Sequence, residues 1–327
     1  MTSPYAGRRV LLVDAVDDDP TGHAPLRRRA LERLGCTVHV LAPRQKRGLL
    51  ARFRADGVAD RVSRGILEHQ PDLVLVVEGA DLTAGNVLQL KREGRAKFAN
   101  WFIGTARSLA LMEAVSPAYD ALFVPGSDLA DRLRGPSRAA VLHLAPGCDP
   151  SVHRPVPARD QFRANVVFVG EATPRREQLL GGLAEFGLAI WGAGWRRTAL
   201  RDYCRGEHLS SDDFVRAYAG ASVAVNVHRE VDGSTATGCN QRLFEVAAIG
   251  VPQVVDARPD LALHFLEGSE LLTFDSGASL RAHVEGLLHD TVAAERISHA
   301  ARQRALAEHT YMHRMTAILA ATLGAGD

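Results

Sequence analysis

The chain has 327 residues, 46% hydrophobic and 24% charged, with a formal net charge of +1. That length holds one large domain or two ordinary ones with a substantial core, and the charge balance gives no global field for nucleic acid. Cys36, Cys148, Cys204 and Cys239 are scattered without a C-x-x-C pair, which suits thiols in a reducing compartment better than a disulfide framework or a zinc site. No apolar run approaches the roughly 20 residues of a membrane span or forms a signal-peptide core, so the expected setting is cytoplasmic.

From the first residues onward, short apolar runs alternate with helical patterns. "RRVLLVDA" (8–15) reads as a strand, "APLRRRALERLG" (24–35) as a helix closed by Gly35, and "TVHVLAP" (37–43) as a strand. "VADRVSRGILEHQ" (58–70) is a helix and "PDLVLVVEG" (71–79) a strand. "NVLQLKREG" is a helix, and "AKFANWFIG", "YDALFVPG" (119–126) and "AAVLHLAPG" complete the strands of this half. Continuous rather than alternating apolar strands between helices imply a parallel sheet covered on both faces. The pattern restarts after "PGCDPSVHRPVPARD" (146–160), whose four prolines in 15 residues have linker composition. "QFRANVVFVGEATPRREQLLGGLAEFG" (161–187) is strand, loop and helix, and "LAIWGAG" (188–194) is a strand. "SDDFVRAYAGA" is a helix and "SVAVNVHR" (222–229) a strand. The expected fold class is therefore α/β, with two Rossmann-like doubly wound parallel-sheet domains, 1–150 and 151–310, and a ligand cleft between their strand ends. The segment 311–327 is expected to be a helix that packs back on the first domain.

The stretch "GCNQRLFEVAAIGVPQVVD" (238–256) reads as a short buried helix stopped by Gly250 and Pro252, then a buried strand. A carboxylate in so apolar a helix calls for a reason, because an unpaired buried charge is costly. Glu245 either pairs with Arg242 at i,i+3 or faces a polar ligand. Upstream, Thr173 is a candidate N-cap with Pro174 in the first turn. Gly170 precedes it on the loop, and Arg175 or Arg176 adds a cation, a combination suited to a diphosphate. Gly192 and Gly194 in "WGAGW" serve either a close ligand approach or a tight turn. In "DAVDDDPTGH" (14–23), Asp14, Asp17, Asp18, Asp19 and His23 follow the first strand. Asp19 and His23 are candidates to touch an acceptor hydroxyl, and the alternative is a solvated acidic loop capping the next helix. His309 and His313 lie at i,i+4 with no third ligand nearby in sequence, and no metal site is expected. The basic segment 44–61 reads as a solvated helix face or a contact for an anionic acceptor or membrane surface.

The runs "VVFVGEATPRREQLL", "IWGAGW", "ASVAVNVHR", "GCNQRLFEVAAIGVPQVVDARPDLALHFLEGSELLTF" and "AEHTYMHRM" occur in the order of CgeB-like glycosyltransferases, which the chain resembles over most of residues 160–320. The resemblance extends to the wider GT-B group that includes the family 4 enzymes. It implies a GT-B fold with a nucleotide diphosphate-sugar as co-substrate on the C-terminal half. A small-molecule, glycan or protein acceptor would sit on the N-terminal half, with no cofactor. It also implies that Glu245 contacts the nucleotide ribose, that Asn240 and Arg242 approach the diphosphate and sugar, and that Asn226 and His228 line the same site. A metal-independent transfer with retention of configuration is expected. The chain departs from the pattern twice: Thr237 stands where family 4 enzymes carry a second glutamate, and Thr105 follows the strand after which many CgeB-like sequences carry an acid. These departures keep open a non-catalytic nucleotide-binding or scaffolding module, and a sugar-nucleotide epimerase of the same fold is the other alternative.

Overall fold

The computed structural model describes residues 3–15, 19–43, 57–104, 109–135, 139–229 and 237–324. Asp17, Asp18, Thr105 and the basic segment up to residue 56 lie outside the described residues. The chain divides into two compact units. The first comprises residues 1–146, 234–238 and 311–327, and the second comprises 147–233 and 239–310.

In the first unit the chain runs β1 (Arg9–Val13), α1 (His23–Arg33), β2 (Thr37–Leu41), α2 (Val58–His69), β3 (Leu73–Val77) and α3 (Ala84–Leu90). It continues through β4 (Lys97–Trp101), α4 (Leu109–Val115), β5 (Ala121–Val124), α5 (Ser127–Arg134) and β6 (Ala140–His143). The strands form one parallel sheet in the order β2-β1-β3-β4-β5-β6. β3, "LVLVV", is buried at all five positions because helices cover both faces. One face packs Leu11, Val74, Val76, Phe98 and Leu122 against α2 to α5. The strand order reverses between β1 and β3, so their C-terminal ends flank the switch point at which open α/β sheets hold ligands.

The second unit runs β7 (Ala164–Val169), α6 (Pro174–Gly181), β8 (Leu188–Trp191), β9 (Cys204–Gly206), α7 (Ser211–Ala219), β10 (Ala221–Asn226) and α8 (Gln241–Ile249). Then come β11 (Gln253–Asp256), β12 (Leu272–Phe274), α9 (Gly277–His289) and α10 (Thr291–Glu308). Its parallel sheet has the order β12-β11-β10-β7-β8-β9, with the reversal between β7 and β10. The proline-rich stretch belongs to this unit and is packed at its start. The Cys148 amide donates to the His309 carbonyl at 2.9 Å, and Asp149 and His153 are buried. The last helix, α11 (Tyr311–Leu323), packs on α1, β4 and β5 of the first unit, with Tyr311, Met315, Ile318 and Leu319 buried. Arg314 Nε donates to the Ala145 and Pro146 carbonyls at 2.7 and 3.0 Å. The His309 ring packs against Phe244 and Phe265, which is a core role. Among the described residues, no helix is long and apolar enough to cross a membrane.

Candidate functional site

The second sheet's switch point brings together the loop after β7, the loop after β10 and the start of α8. After β7, Thr173 caps α6 as the sequence suggests: its Oγ1 accepts from the Arg176 amide at 3.3 Å, and Pro174 occupies the first turn. The glycine-rich turn after β8 packs directly on this loop. Gly192 has φ +144°, and a Cβ there would stand 2.0 Å from the Gly170 carbonyl oxygen. Trp195 Nε1 donates to that same oxygen at 2.6 Å, and the Ala172 amide donates to Ala193 at 2.9 Å. A Cβ at Gly194, φ +88°, would meet Ala172 Cβ at 3.3 Å. These glycines let two loops of the protein approach each other.

After β10, Asn226 and Asn240 exchange side-chain amide hydrogen bonds of 3.1 and 2.8 Å. Asn240 also caps α8, its Oδ1 accepting from the Leu243 amide at 3.1 Å. His228 Nε2 accepts from the Asn240 amide at 3.0 Å, which places the ring proton on Nδ1, 2.6 Å from Asp256 Oδ1. Both ring nitrogens are thus engaged by the protein, and His228 and Asn226 fasten the end of β10 to the start of α8. Burial pushes the His228 pKa down against the pull of Asp256.

Asp256, at the end of β11, is the hub of this network and was not singled out in the sequence. Its Oδ1 also accepts from the His228 amide at 2.9 Å, and its Oδ2 lies 3.0 Å from Arg175 Nη1 and 3.4 Å from Arg258 Nη2. Burial alone would raise its pKa, but the His228 hydrogen bonds and the neighbouring Arg258 charge hold it well below the usual carboxylate range. The only sequence signal was an aspartate ending a buried strand in "PQVVDAR".

Two arginines face the same loops. Arg176 is 5% exposed, donates to the Val227 carbonyl at 2.7 and 3.2 Å and to the Glu171 carbonyl at 2.9 Å, and lies over the Phe168 ring. Burial first, then the positive charge of Arg242, lowers its pKa to about 10. Arg242, in the first turn of α8, has a buried Nε with no hydrogen-bond partner, and its guanidinium pairs with no carboxylate among the described residues. A pair of like charges at a helix start, one of them unsatisfied, is suited to an anion. Glu245 is 4% exposed and does not pair with Arg242; its Oε1 accepts from Gln241 Nε2 at 2.8 Å and lies 3.6 Å from His153 Nε2. His153 Nδ1 accepts from the Asp149 amide at 3.0 Å, so the Nε2 proton faces Glu245.

In the first unit, Asp19 Oδ1 accepts from the Thr21 amide at 2.9 Å and from its hydroxyl at 2.5 Å. His23 opens α1, with Nδ1 3.5 Å from the Tyr311 hydroxyl. Asp14 forms a buried two-bond pair with Arg27, at 2.7 and 3.0 Å. Thr237 also belongs to this unit and donates to Asp128 Oδ1 in the first turn of α5 at 2.7 Å.

Residues 175–320 match a family model described as glycosyl transferase-like. No curated protein matches the chain in sequence. Among solved structures, sucrose-phosphate synthase from Thermosynechococcus elongatus superposes with a TM-score of 0.69 at 13% identity, covering 95% of this chain and 98% of that one. Anabaena HepE in complex with UDP-glucose gives 0.64 at 13%, over 95% and 98%. AviGT4, a glycosyltransferase involved in avilamycin A biosynthesis, gives 0.65 at 16%, over 96% of each chain. The chain has the GT-B fold, residues 175–320 carry a glycosyl transferase-like sequence, and together these findings support a transferase.

Proposed function

We propose that the chain moves a sugar from a nucleoside diphosphate-sugar to an acceptor hydroxyl, with the donor bound at the strand ends of the second unit. The observation that carries this reading is the buried, unpartnered Arg242 Nε beside Arg176, at the start of α8. As the bond between the sugar and the diphosphate breaks, negative charge collects on the leaving phosphate. Arg242 and the α6 and α8 helix starts stabilise that charge, so no metal is required. Arg175 adds a cation held in place by Asp256. Glu245 binds the nucleotide ribose, kept in position by Gln241 and His153. Asn226, His228 and Asn240 shape the site by fixing α8, and Gly170, Gly192 and Gly194 shape it by close loop packing. Asp19 and His23 are the acceptor-side residues. In this reading the transfer proceeds with retention of configuration. The structural neighbour crystallised with UDP-glucose makes UDP and UDP-glucose the first compounds to test. Calorimetry with the diphosphates of the five common nucleosides, followed by donor hydrolysis, tests the proposal. One of them should bind, and the corresponding UDP- or other nucleotide-sugar should be hydrolysed slowly without acceptor. Failure of all five to bind overturns it.

A further inference from the structure

The first unit has a cavity of about 620 Å³ at the N-terminal ends of β1, β3 and β4, bounded by the end of α2, the loop before β4 and the end of α11. The volume falls in the range of small-molecule sites. Open α/β sheets hold their substrates at the opposite, C-terminal strand ends. The cavity is therefore outside the proposed transfer, and its ligand does not depend on that reading.

Arg8, Arg9, Arg95 and Lys97 line the cavity against Asp72 and Glu93, an excess of two positive charges. The strand register sets Arg9 and Lys97 on either side of the start of β3, because Val10 and Lys97 both stand beside Leu73. Asp72 is engaged: its Oδ2 accepts from the Arg9 amide at 2.7 Å, and its Oδ1 lies 3.6 Å from Arg8 Nη1. Glu93 has its Oε2 buried, so one of its two oxygens is out of reach of solvent. Lys97 Nζ lies 3.7 Å from Asp120 Oδ1, but that carboxylate holds Lys91 more closely, at 3.0 Å. The exposed Arg9 and Arg95 guanidiniums form no ion pair among the described residues. Cations left without partners around a concave space attract anions, and a guanidinium grips a phosphate through two parallel hydrogen bonds. The rest of the wall is apolar. Ile66, Pro71 and Leu323 contribute to it, and Leu67 is 63% exposed. Gly94 lets the loop before β4 close on α2, since a Cβ there would stand 2.9 Å from Ile66 Cγ2.

We infer that this cavity binds an organic phosphate monoester, its apolar body on Ile66 and Leu67 and its phosphate between Arg9 and Arg95. A phosphate monoester carries about −1.5 to −2 charges at pH 7, which matches the excess of positive charge in the lining. A neutral analogue lacks the group that the arginines hold, and inorganic phosphate lacks the body that the apolar wall covers.

The test is calorimetry on the full chain with 1-naphthyl phosphate, 1-naphthol and inorganic phosphate. Saturable binding of 1-naphthyl phosphate is expected, weakened by added salt, with the other two at least tenfold weaker. On its binding, hydrogen exchange should slow in peptides spanning 66–72 and 93–97. Arg9→Gln with Arg95→Gln should lower its affinity at least tenfold at an unchanged melting temperature, because both side chains are exposed and unpaired. The same charge removed outside the cavity, by Arg28→Gln with Arg132→Gln, should leave the affinity unchanged. Vesicles of phosphatidate in phosphatidylcholine separate two sources of such a phosphate. A chain that does not sediment with them takes a soluble compound, and sedimentation lost in Arg9→Gln with Arg95→Gln assigns the site to a lipid headgroup. No binding of 1-naphthyl phosphate, or binding that survives Arg9→Gln with Arg95→Gln, overturns the inference. Protection confined to the second unit, or 1-naphthol or inorganic phosphate binding as tightly, overturns it as well.

Discussion

Arg242 and Asp256 show how differently two buried charges can behave. Asp256 is satisfied by His228, Arg175 and Arg258, so Asp256→Asn removes a charge that three donors were built around. Breaking a buried pair on one side costs about 3–5 kcal/mol, and chemical denaturation of the variant should read a loss in that range. Arg242 holds no carboxylate among the described residues, so Arg242→Ala should leave stability nearly unchanged. It should weaken nucleoside diphosphate binding by about 1.5–3 kcal/mol, the scale of a charged hydrogen bond. A large stability loss with normal binding would make Arg242 structural. The pH response follows from the same network. His228 is depressed by burial, so the unfolded chain takes up a proton that the folded chain refuses, and stability falls as pH drops through about 6.5. Asp256 is also depressed; its contribution is present above about pH 4 and is lost on further acidification. Melting temperatures from pH 7 to 5 should therefore decline, and His228→Gln should flatten the decline. At this scale the sequence was partly legible. Glu245 stood out because its helix is otherwise apolar, whereas Asp256 and His153 gave no local signal, because their partners lie 28 and 92 positions away.

At the scale of elements, buried parallel strands were readable because a short, continuous apolar run between two helices fits little except a strand covered on both faces. "LVLVV" and "ALFV" became β3 and β5 near the expected bounds. β9 and β12 were not read, since three-residue edge strands carry no run long enough to register. Glycine roles divided in the same way. Gly250 as a helix stop is local chemistry and was legible; it closes α8 in the left-handed region at φ +85°. The need for Gly192 comes from a loop 22 residues earlier, which no spacing rule exposes. The two sites predict different costs. Gly250→Ala adds a Cβ 3.3 Å from the flexible Arg302 side chain and should lose about 1–2 kcal/mol, mostly from left-handed backbone. Gly192→Ala drives a Cβ into the Gly170 carbonyl and should cost beyond about 4 kcal/mol or prevent folding. Equal melting temperatures for the two variants would contradict this account.

For the whole molecule, the chain passes from the first unit to the second after Pro146, and α11 belongs to the first unit again. The sequence indicated two similar α/β halves, and the GT-B fold is what the comparisons support. The packing of the proline-rich segment was not readable, because composition reports turn tendency and not burial. The division into units makes binding and stability separable. A ligand that binds only the folded protein stabilises it by about 2.7 kcal/mol at a hundredfold excess over its Kd. Under the proposed reading, a nucleoside diphosphate should slow hydrogen exchange in β7, β10, α6 and α8. Ending the chain after Thr310 should act elsewhere: it removes Tyr311, Met315, Ile318 and Leu319, all buried against the first unit. Exchange should then accelerate in α1, β4 and β5, while the second unit keeps its nucleotide-dependent protection. Hydrogen exchange resolved by peptide, with and without UDP on both chains, measures this. Protection confined to peptides before residue 146 would mean that the donor site had been assigned to the wrong unit. Protection in the second unit that vanishes on truncation would mean that α11 is needed for nucleotide binding, a role its burial in the first unit does not give it.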